Sequence, residues 1–315
     1  MTRLGTIQCG NKIKCRDFYS PELYNLLIYT PSTSVNPVSN NVGIFDPIFD
    51  ETSDKSLMSK KLDQITYEDK QDPQVFMVTS VLEIFLKSIF VGICVTDQES
   101  NYSHYVIWPL LDTVVATVDE LKFHCADGCI SALIDDVRIE LVLLEVSGAF
   151  KLDDESRFIK DHVKAGYGLI AILTESAYTY KFASFDVFTT IRIFFLHAKK
   201  NKLRFWSFET LAPGLYVLNL LNSVVIPDNY TSCELPVESL CIKLWNLRTM
   251  IQQTMTAIAN LRESHIVNQR AYNRSHRQFP DLMPTLLTAS LKINPKIYLN
   301  PLLFIYYRQE FAAIV

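Results

Sequence analysis

The chain has 315 residues, of which 49% are hydrophobic and 20% are charged. This composition is typical of a globular protein and excludes an intrinsically disordered chain, and the length allows one large domain with a sizeable core. The formal net charge is -4, whereas proteins that coat nucleic acid without sequence preference are strongly basic. Any contact with nucleic acid must therefore come from a local basic patch.

The seven cysteines follow neither a disulfide pattern nor a zinc-binding pattern. Their number is odd, C-x-x-C does not occur, and no histidine pair follows Cys125 and Cys129 at zinc spacing. We therefore expect reduced thiols and an intracellular protein, in the nucleus or the cytoplasm. The first twenty residues contain no apolar run, so we expect no secretory signal.

Residues 1–72 include TPSTSVNPVSNNVG and a long polar stretch, so we expect a loosely structured N-terminal extension with one short helix near Lys55–Ile65. Residues 73–96 predict a leading helix whose apolar run approaches membrane-spanning length. Glu83 and Lys87 lie inside this run at i,i+4 spacing, which favours a buried amphipathic helix over a membrane span. We therefore expect no membrane association.

Residues 97–225 predict the main core. Apolar residues at helical spacing up to Val118 predict a helix, which Pro109 should kink or restart. Three strands follow, LKFHC, CISALI and VRIELVLLEV, with turns at Asp127-Gly128 and Asp135-Asp136. The third strand is apolar on both faces, as a covered central strand should be.

A second helix is predicted after this three-strand meander. It has an apolar stripe and a separate polar face that brings Asp161 and Lys164 together. The stripe consists of Ile159, Val163, Tyr167 and Ile170, and the polar face of Arg157, Asp161, Lys164 and Gly168. A hairpin around Lys200-Asn201 and an apolar run that ends at Pro227 complete the core.

Residues 226–279 predict a long helix, from about Val237 to Asn273, with a basic end. Its apolar positions alternate at four- and three-residue spacing, like a coiled-coil seam. The seam consists of Leu240, Leu244, Leu247, Ile251, Thr254, Ile258, Leu261 and His265. It predicts either a helix that lies on the core of its own chain or a homodimer through residues 237–273. Residues 280–315 contain four prolines and predict an extended C-terminal tail.

The order helix, three-strand meander, helix, strand, with acids at the strand ends, resembles the PD-(D/E)XK nuclease superfamily. Its short motifs are ADG at 126–128, EVSG at 145–148 and DHVKAG at 161–166. The chain is also similar to large families of uncharacterised fungal proteins with degenerate versions of that core. The resemblance implies an α/β protein with a restriction-endonuclease-like core of order αβββαβ over about 97–225, and Mg²⁺- or Mn²⁺-dependent hydrolysis of DNA.

The resemblance assigns the metal-binding acids to Asp127 and Glu145, and Glu99 matches an acid that many members carry on the first core helix. Mg²⁺ needs few carboxylates because it keeps several waters, and it activates water for phosphodiester hydrolysis. Each acid also has an ordinary explanation. Asp127 suits a turn, Glu99 suits the start of a helix, and Glu145 ends an apolar run where it needs a cation, a metal or solvent.

Ser147 stands where the family has its lysine, which orients the attacking water and offsets negative charge. A serine carries no charge, so Lys164, beside Asp161 on the following helix, is the candidate to replace that lysine. The alternative is that Lys164 is an ordinary surface partner of Asp161. Without a replacement, the chain is an inactive scaffold or a nucleic-acid-binding module with a nuclease fold.

Two basic clusters could contact the phosphates of DNA. The first lies at the end of the long helix and consists of Arg262, Arg270, Arg274 and Arg277. The second lies on the hairpin and consists of Lys199, Lys200, Lys202 and Arg204. A solvated helix end and a charged turn explain them equally well.

Overall fold

The structure is a computed structural model, and it describes residues 6–10, 13–14, 54–92, 95–125, 128–230 and 233–275. The described strands are β1 (Thr6–Gly10), β2 (Leu121–His124), β3 (Cys129–Ile134), β4 (Val137–Val146), β5 (Ile193–Lys199), β6 (Lys202–Ala212) and β7 (Leu215–Val225). The described helices are α1 (Lys55–Asp63), α2 (Pro73–Lys87), α3 (Glu99–Tyr102), α4 (Trp108–Val115), α5 (Glu155–Thr179), α6 (Phe185–Phe188) and α7 (Glu234–Ser275). Two 3₁₀ turns, Asp69–Gln71 and Ile89–Val91, flank α2.

These strands form one mixed sheet in the order β1-β7-β6-β5-β4-β3-β2. The meander β2-β3-β4 is antiparallel, as predicted, and β4 pairs in parallel with β5 after the crossover through α5. The α/β class is therefore confirmed. Asp135 and Asp136 both have positive φ, 50° and 64°, which is the backbone of a two-residue turn that matches the twist of a hairpin.

The helical run before the meander changes its winding at Pro109. A π-helical turn, Ser103–Ile107, joins α3 to α4, and Pro109 lies in the first turn of α4. Proline has no N–H to donate to the preceding turn, so the helix widens there and restarts. The predicted restart at Pro109 is confirmed, and it places Glu99 at the start of the run.

Helix α2 packs into the core through Val81, Leu82 and Phe85, which are fully buried. Its charged side carries Glu83, which forms ion pairs with Lys70 and Lys87. By length and composition, the helical stretch Pro73–Val91 is the one in the described ranges that could cross a membrane, and half of it is buried inside the fold. A core helix passes the same test, and the burial of α2 supports that interpretation.

The seam of α7 is buried against its own chain. Leu240, Leu244, Ile251 and Leu261 have no exposed surface, and the Thr254 hydroxyl donates to the carbonyl oxygen of Arg192. The seam therefore covers the core of this chain, as the first of the two predictions had it. A homodimer through this helix stays a prediction, but the seam no longer supports it.

The N-terminal extension contains β1, which the sequence did not predict and which pairs in parallel with β7. The predicted helix near Lys55–Ile65 is present as α1. In the stripe predicted for α5, Ile159 and Tyr167 are exposed at 56% and 39%, whereas Ile170 is buried. The buried face of α5 includes Ala165, Leu169 and Ile170. The predicted tail at 280–315 lies outside the described residues.

Candidate active site

The candidate site lies where β4 and β5 end. Glu145 on β4 is paired in register with His197 on β5. The two strands are parallel, so their carboxyl ends meet at one edge of the sheet, which is the usual place for ligands in α/β proteins. Helix α5 runs beside this edge, and its start is fixed by Asp154, whose carboxylate accepts a hydrogen bond from the Arg157 backbone N–H.

Lys164 and Glu145 form the central contact. The Lys164 ammonium is 3.1 Å from Oε1 of Glu145 and 3.4 Å from Oε2. The Glu145 side chain is 15% exposed and that of Lys164 is 38% exposed. A carboxylate with this little solvent is costly without a cation. The Lys164 ammonium is therefore the cation that we expected beside the Glu145 carboxylate at the end of its apolar strand.

Ser147 is fully buried and lies between two polar side chains. Its hydroxyl oxygen is 2.7 Å from Oδ2 of Asp161 and 2.7 Å from Nε2 of His197. A carboxylate only accepts hydrogen bonds, so the hydroxyl donates to Asp161 and accepts from a protonated Nε2 of His197. The three residues form a relay of hydrogen bonds that joins β5, β4 and α5.

His197 is neutral in the folded protein. Burial, followed by the nearby charges of His162, Arg204 and Lys199, lowers the pKa of His197 to about 2. Its ring stacks on Phe158, with centroids 4.4 Å apart and planes 10° apart. Phe158 comes from the first turns of α5, so the relay and the ring stack hold the start of that helix on the sheet.

Glu99 binds the loop that follows β4. Its carboxylate accepts a hydrogen bond from the Gly148 backbone N–H at 3.0 Å and pairs with the guanidinium of Arg157 at 2.6 Å. Burial raises the pKa of Glu99, although the Gly148 N–H and the Arg157 charge oppose the effect. Burial also raises the pKa of Asp161, against the Ser147 hydrogen bond and the charges of Arg157 and Lys164.

The structure thus brings together five of the predicted site residues, which are Glu99, Glu145, Ser147, Asp161 and Lys164. Asp127, the other predicted metal ligand, lies outside the described residues. The next residue, Gly128, has its carbonyl oxygen 2.6 Å from the backbone nitrogen of Leu144, one position before Glu145. Among the residues that the structure describes, no group of three or more His, Cys, Asp or Glu side chains is placed to hold a metal ion.

The predicted nucleic-acid-binding arginines have different surroundings. Arg262 forms an ion pair with Asp135 in the turn of the β3–β4 hairpin, so its charge is already partly offset. Arg270 and Arg274 are exposed near the end of α7. Arg277 lies outside the described residues. Within the described part of α7, Arg262 thus already has an acidic partner, and Arg270 and Arg274 are the predicted arginines that stay available for phosphates.

Two members of the site were missed by sequence reasoning. Arg157 was placed on the polar face of its helix, but its contact with Glu99 joins residues 58 positions apart and leaves no local signal. His197 carries a weak signal, because a histidine inside the apolar strand IFFLHAK needs a buried partner. Nothing in the sequence identifies that partner as Ser147.

Comparison of the chain with protein-family models, with curated proteins and with solved structures finds no match. The geometry of the site and the order of the elements are therefore the grounds for a functional proposal.

Proposed function

We propose that this chain has a restriction-endonuclease-like core of the PD-(D/E)XK kind and hydrolyses DNA phosphodiesters with Mg²⁺ or Mn²⁺. In this proposal Lys164 supplies the positive charge of the missing motif lysine. The observation that carries the proposal is the 3.1 Å contact between the Lys164 ammonium and Glu145 at the end of β4. A lysine from the following helix thus contacts the acid of the EVSG motif. Ser147, which stands at the position of the motif lysine, carries no charge and cannot take its role.

The order of the elements supports the proposed core. A helical run ending with α4 precedes the antiparallel meander, α5 crosses over, and β5 pairs in parallel with β4. This is the αβββαβ order that the resemblance implies. Strands β1, β6 and β7 and helix α7 are then additions to that core.

The residues present fit a hard divalent cation. Mg²⁺ is held by one or two carboxylates together with waters, and Glu145 with Asp127 offers such a set. The backbone N–H of Leu144, the residue before Glu145, donates to the carbonyl oxygen of Gly128. When bound, the cation supplies charge neutralisation at the phosphate and an activated water.

The chain's own groups then have distinct roles. Lys164 orients the attacking water and offsets the negative charge that develops on the phosphate. Asp161 lies close enough to Lys164 for the lysine charge to oppose the rise in the pKa of Asp161 that burial causes. Ser147 is a positioning residue, since its buried hydroxyl is engaged by Asp161 and His197. Glu99 accepts a hydrogen bond from the Gly148 N–H in the loop after β4. In this proposal that contact helps to position Glu145, three residues earlier in the chain.

A plasmid cleavage assay with Mg²⁺ or Mn²⁺ tests the proposal. We expect the wild type to nick or linearise plasmid DNA only when a divalent cation is present, and Glu145→Ala to abolish cleavage. Equal cleavage by the wild type and Glu145→Ala would indicate a contaminating nuclease and reject the proposal. Circular dichroism of both proteins shows whether the variant is folded.

A second candidate function is an inactive scaffold or a nucleic-acid-binding module with the same fold. It is favoured by the observation that Glu99, Glu145 and Asp161 all have a partner within the chain, so the fold is electrostatically satisfied without a metal. Mn²⁺ titration separates the two, because a bound metal raises the melting temperature. No shift in the wild type, together with no cleavage, would favour the scaffold.

A further inference from the structure

Strand β1 occupies one edge of the sheet, where it pairs with β7. The pairing is parallel and runs from Thr6 opposite Tyr216 to Gly10 opposite Leu220. In the order of the described strands, β1 stands at the end of the sheet next to β7. Without β1, the backbone N–H and C=O groups on this side of β7 would have no strand to pair with. An edge of this kind binds an added strand through main-chain hydrogen bonds.

The side chains of β1 fit the β7 edge in a sequence-specific way. On one face of the sheet, Ile7 and Cys9 pack with Val217 in a small apolar cluster that is separate from the main core. Gln8 points to the other face, where its amide nitrogen lies 3.2 Å from Nε2 of His162 on α5. Ile7 is 7% exposed and Cys9 is fully buried. The edge therefore selects a strand in which a polar side chain stands between two apolar ones.

Gly10 ends this strand at a position that admits no side chain. Its φ is 109°, and a Cβ at this position would lie 2.5 Å from the backbone nitrogen and oxygen of Leu220. Residues with a Cβ rarely adopt such a φ, and the backbone of a paired strand cannot move aside as the end of a flexible side chain can. Gly10 is therefore a second feature by which the β7 edge selects its strand.

The connection between β1 and the next described element is long. Residues 15–53, thirty-nine in number, separate Lys14 from Asp54, the N-cap of α1. At about 3.3 Å per extended residue they span up to about 130 Å, so β1 of one copy can reach β7 of another. The effective concentration of a tethered strand falls as its tether lengthens. Since the same contacts form within one chain and between two, protein concentration decides between the two arrangements.

We propose that the β7 edge is a strand-binding site for the N-terminal segment of a second copy of this chain. In the resulting dimer, each copy places its β1 on β7 of the other copy, in the same register and with Gly10 beside Leu220. A second copy is the partner because its β1 carries both the alternation and the glycine that the edge selects. The site does not involve Glu145 or Lys164, so its tests are independent of the proposed cleavage.

A synthetic peptide tests the site on the full-length Gly10→Ala chain. This substitution weakens the chain's own β1 pairing and leaves β7 unchanged, so the edge becomes available to a strand in trans. We expect a peptide of residues 1–14, added in excess under reducing conditions, to raise the melting temperature of this variant by about 2 °C or more. The same peptide with Gly10→Ala is the matched control, and it should bind about five- to thirtyfold more weakly.

A second control peptide has Ile7 and Gln8 interchanged, which sends the apolar side chain to the other face of the sheet. It separates recognition of this sequence from pairing with any extended peptide. Equal temperature shifts with the wild-type peptide and either control would overturn the site, as would the absence of a shift. If the full-length Gly10→Ala chain does not fold, Ile7→Ala takes its place, because it removes an apolar contact of β1 and leaves β7 unchanged.

Light scattering during size-exclusion chromatography tests the second copy as the partner. The wild type is held at about 1 mM just below its melting temperature, where β1 leaves its own β7 and strands of other copies compete for the edge. We expect a dimer, and at least about fivefold less dimer for Gly10→Ala. A wild type that stays monomeric, or an equal dimer fraction in the variant, would overturn the exchange between copies. A monomer that nevertheless binds the peptide would also overturn it, and would assign the edge to a strand of another protein.

Discussion

Replacing His197 with glutamine should make the protein more resistant to mild acid. Burial holds the pKa of His197 at about 2 in the folded state, against an ordinary value of 6.5. The unfolded chain therefore binds more protons between these values, so this group destabilises the folded state progressively as the pH falls below 6.5. The cost is up to about 1.4 kcal/mol per pH unit, or about 2 kcal/mol between pH 6.5 and pH 5.

Urea denaturation at several pH values between 5 and 7 measures this effect. Glutamine does not ionise at these pH values, and its amide can still donate to the Ser147 hydroxyl, so His197→Gln should show a flatter dependence of unfolding free energy on pH. His104→Gln is the matched control, because His104 is exposed, and its curve should run parallel to the wild type. Parallel curves for the wild type and His197→Gln would refute the buried neutral histidine.

Three further predictions concern stability and are checked by chemical or thermal denaturation. Asp136→Ala should destabilise the protein by about 1 kcal/mol, because Asp136 has φ 64° and alanine lacks the polar side chain that makes the left-handed region tolerable. Unchanged or higher stability would contradict this turn geometry. Gly10→Ala should destabilise the protein by more than about 1 kcal/mol, because Gly10 has φ 109° and a Cβ there would collide with the backbone of Leu220. A neutral effect of Gly10→Ala would count against the β1–β7 pairing. Leu244→Ala should lower the unfolding free energy by about 2–5 kcal/mol. The control is Leu235→Ala on the same helix, where Leu235 is 74% exposed, and it should change the unfolding free energy by less than about 0.5 kcal/mol. Equal effects of the two substitutions would show that the seam does not pack on the core.

The meander and the long helix could be predicted because their signals are local. Asp135-Asp136 between two apolar strands specifies a hairpin, and the seam from Leu240 to Leu261 has a helical period that few other structures satisfy. Strand β1 has no such signal. It is five residues long and pairs in parallel with β7, more than two hundred residues away, so only tertiary contacts make it a strand.

The orientation of α5 shows a different limit of sequence reasoning. Its apolar residues lie on two faces, one with Ile159 and Tyr167 and the other with Ala165 and Leu169. Periodicity alone does not rank these faces, and the larger side chains made the exposed one look like the core. The buried face is instead the one with Ala165 and Leu169. The polar face was correctly predicted to bring Asp161 and Lys164 together, because that prediction depends only on helical geometry.

The candidate site could be predicted only in part, because several of its contacts join residues far apart in the chain. Glu145 and Lys164 were identified from a motif and a helical face, and their contact bears out the expected need of Glu145 for a cation. The partners of Ser147 and Glu99 depend on contacts between residues about 50 positions apart. Such contacts follow from the pairing of β4 with β5 and from the position of α3 beside the loop after β4, which no local pattern encodes.

Replacement of Lys164 tests the central proposal most directly. The measurement is the rate of Mn²⁺-dependent plasmid cleavage by the wild type, Lys164→Gln and Lys160→Gln, where Lys160 is exposed on the same helix. The proposal predicts that Lys164→Gln lowers the cleavage rate by about 10²–10³-fold, while Lys160→Gln cleaves like the wild type. Cleavage by folded Lys164→Gln at the rate of Lys160→Gln would contradict the claim that Lys164 replaces the motif lysine.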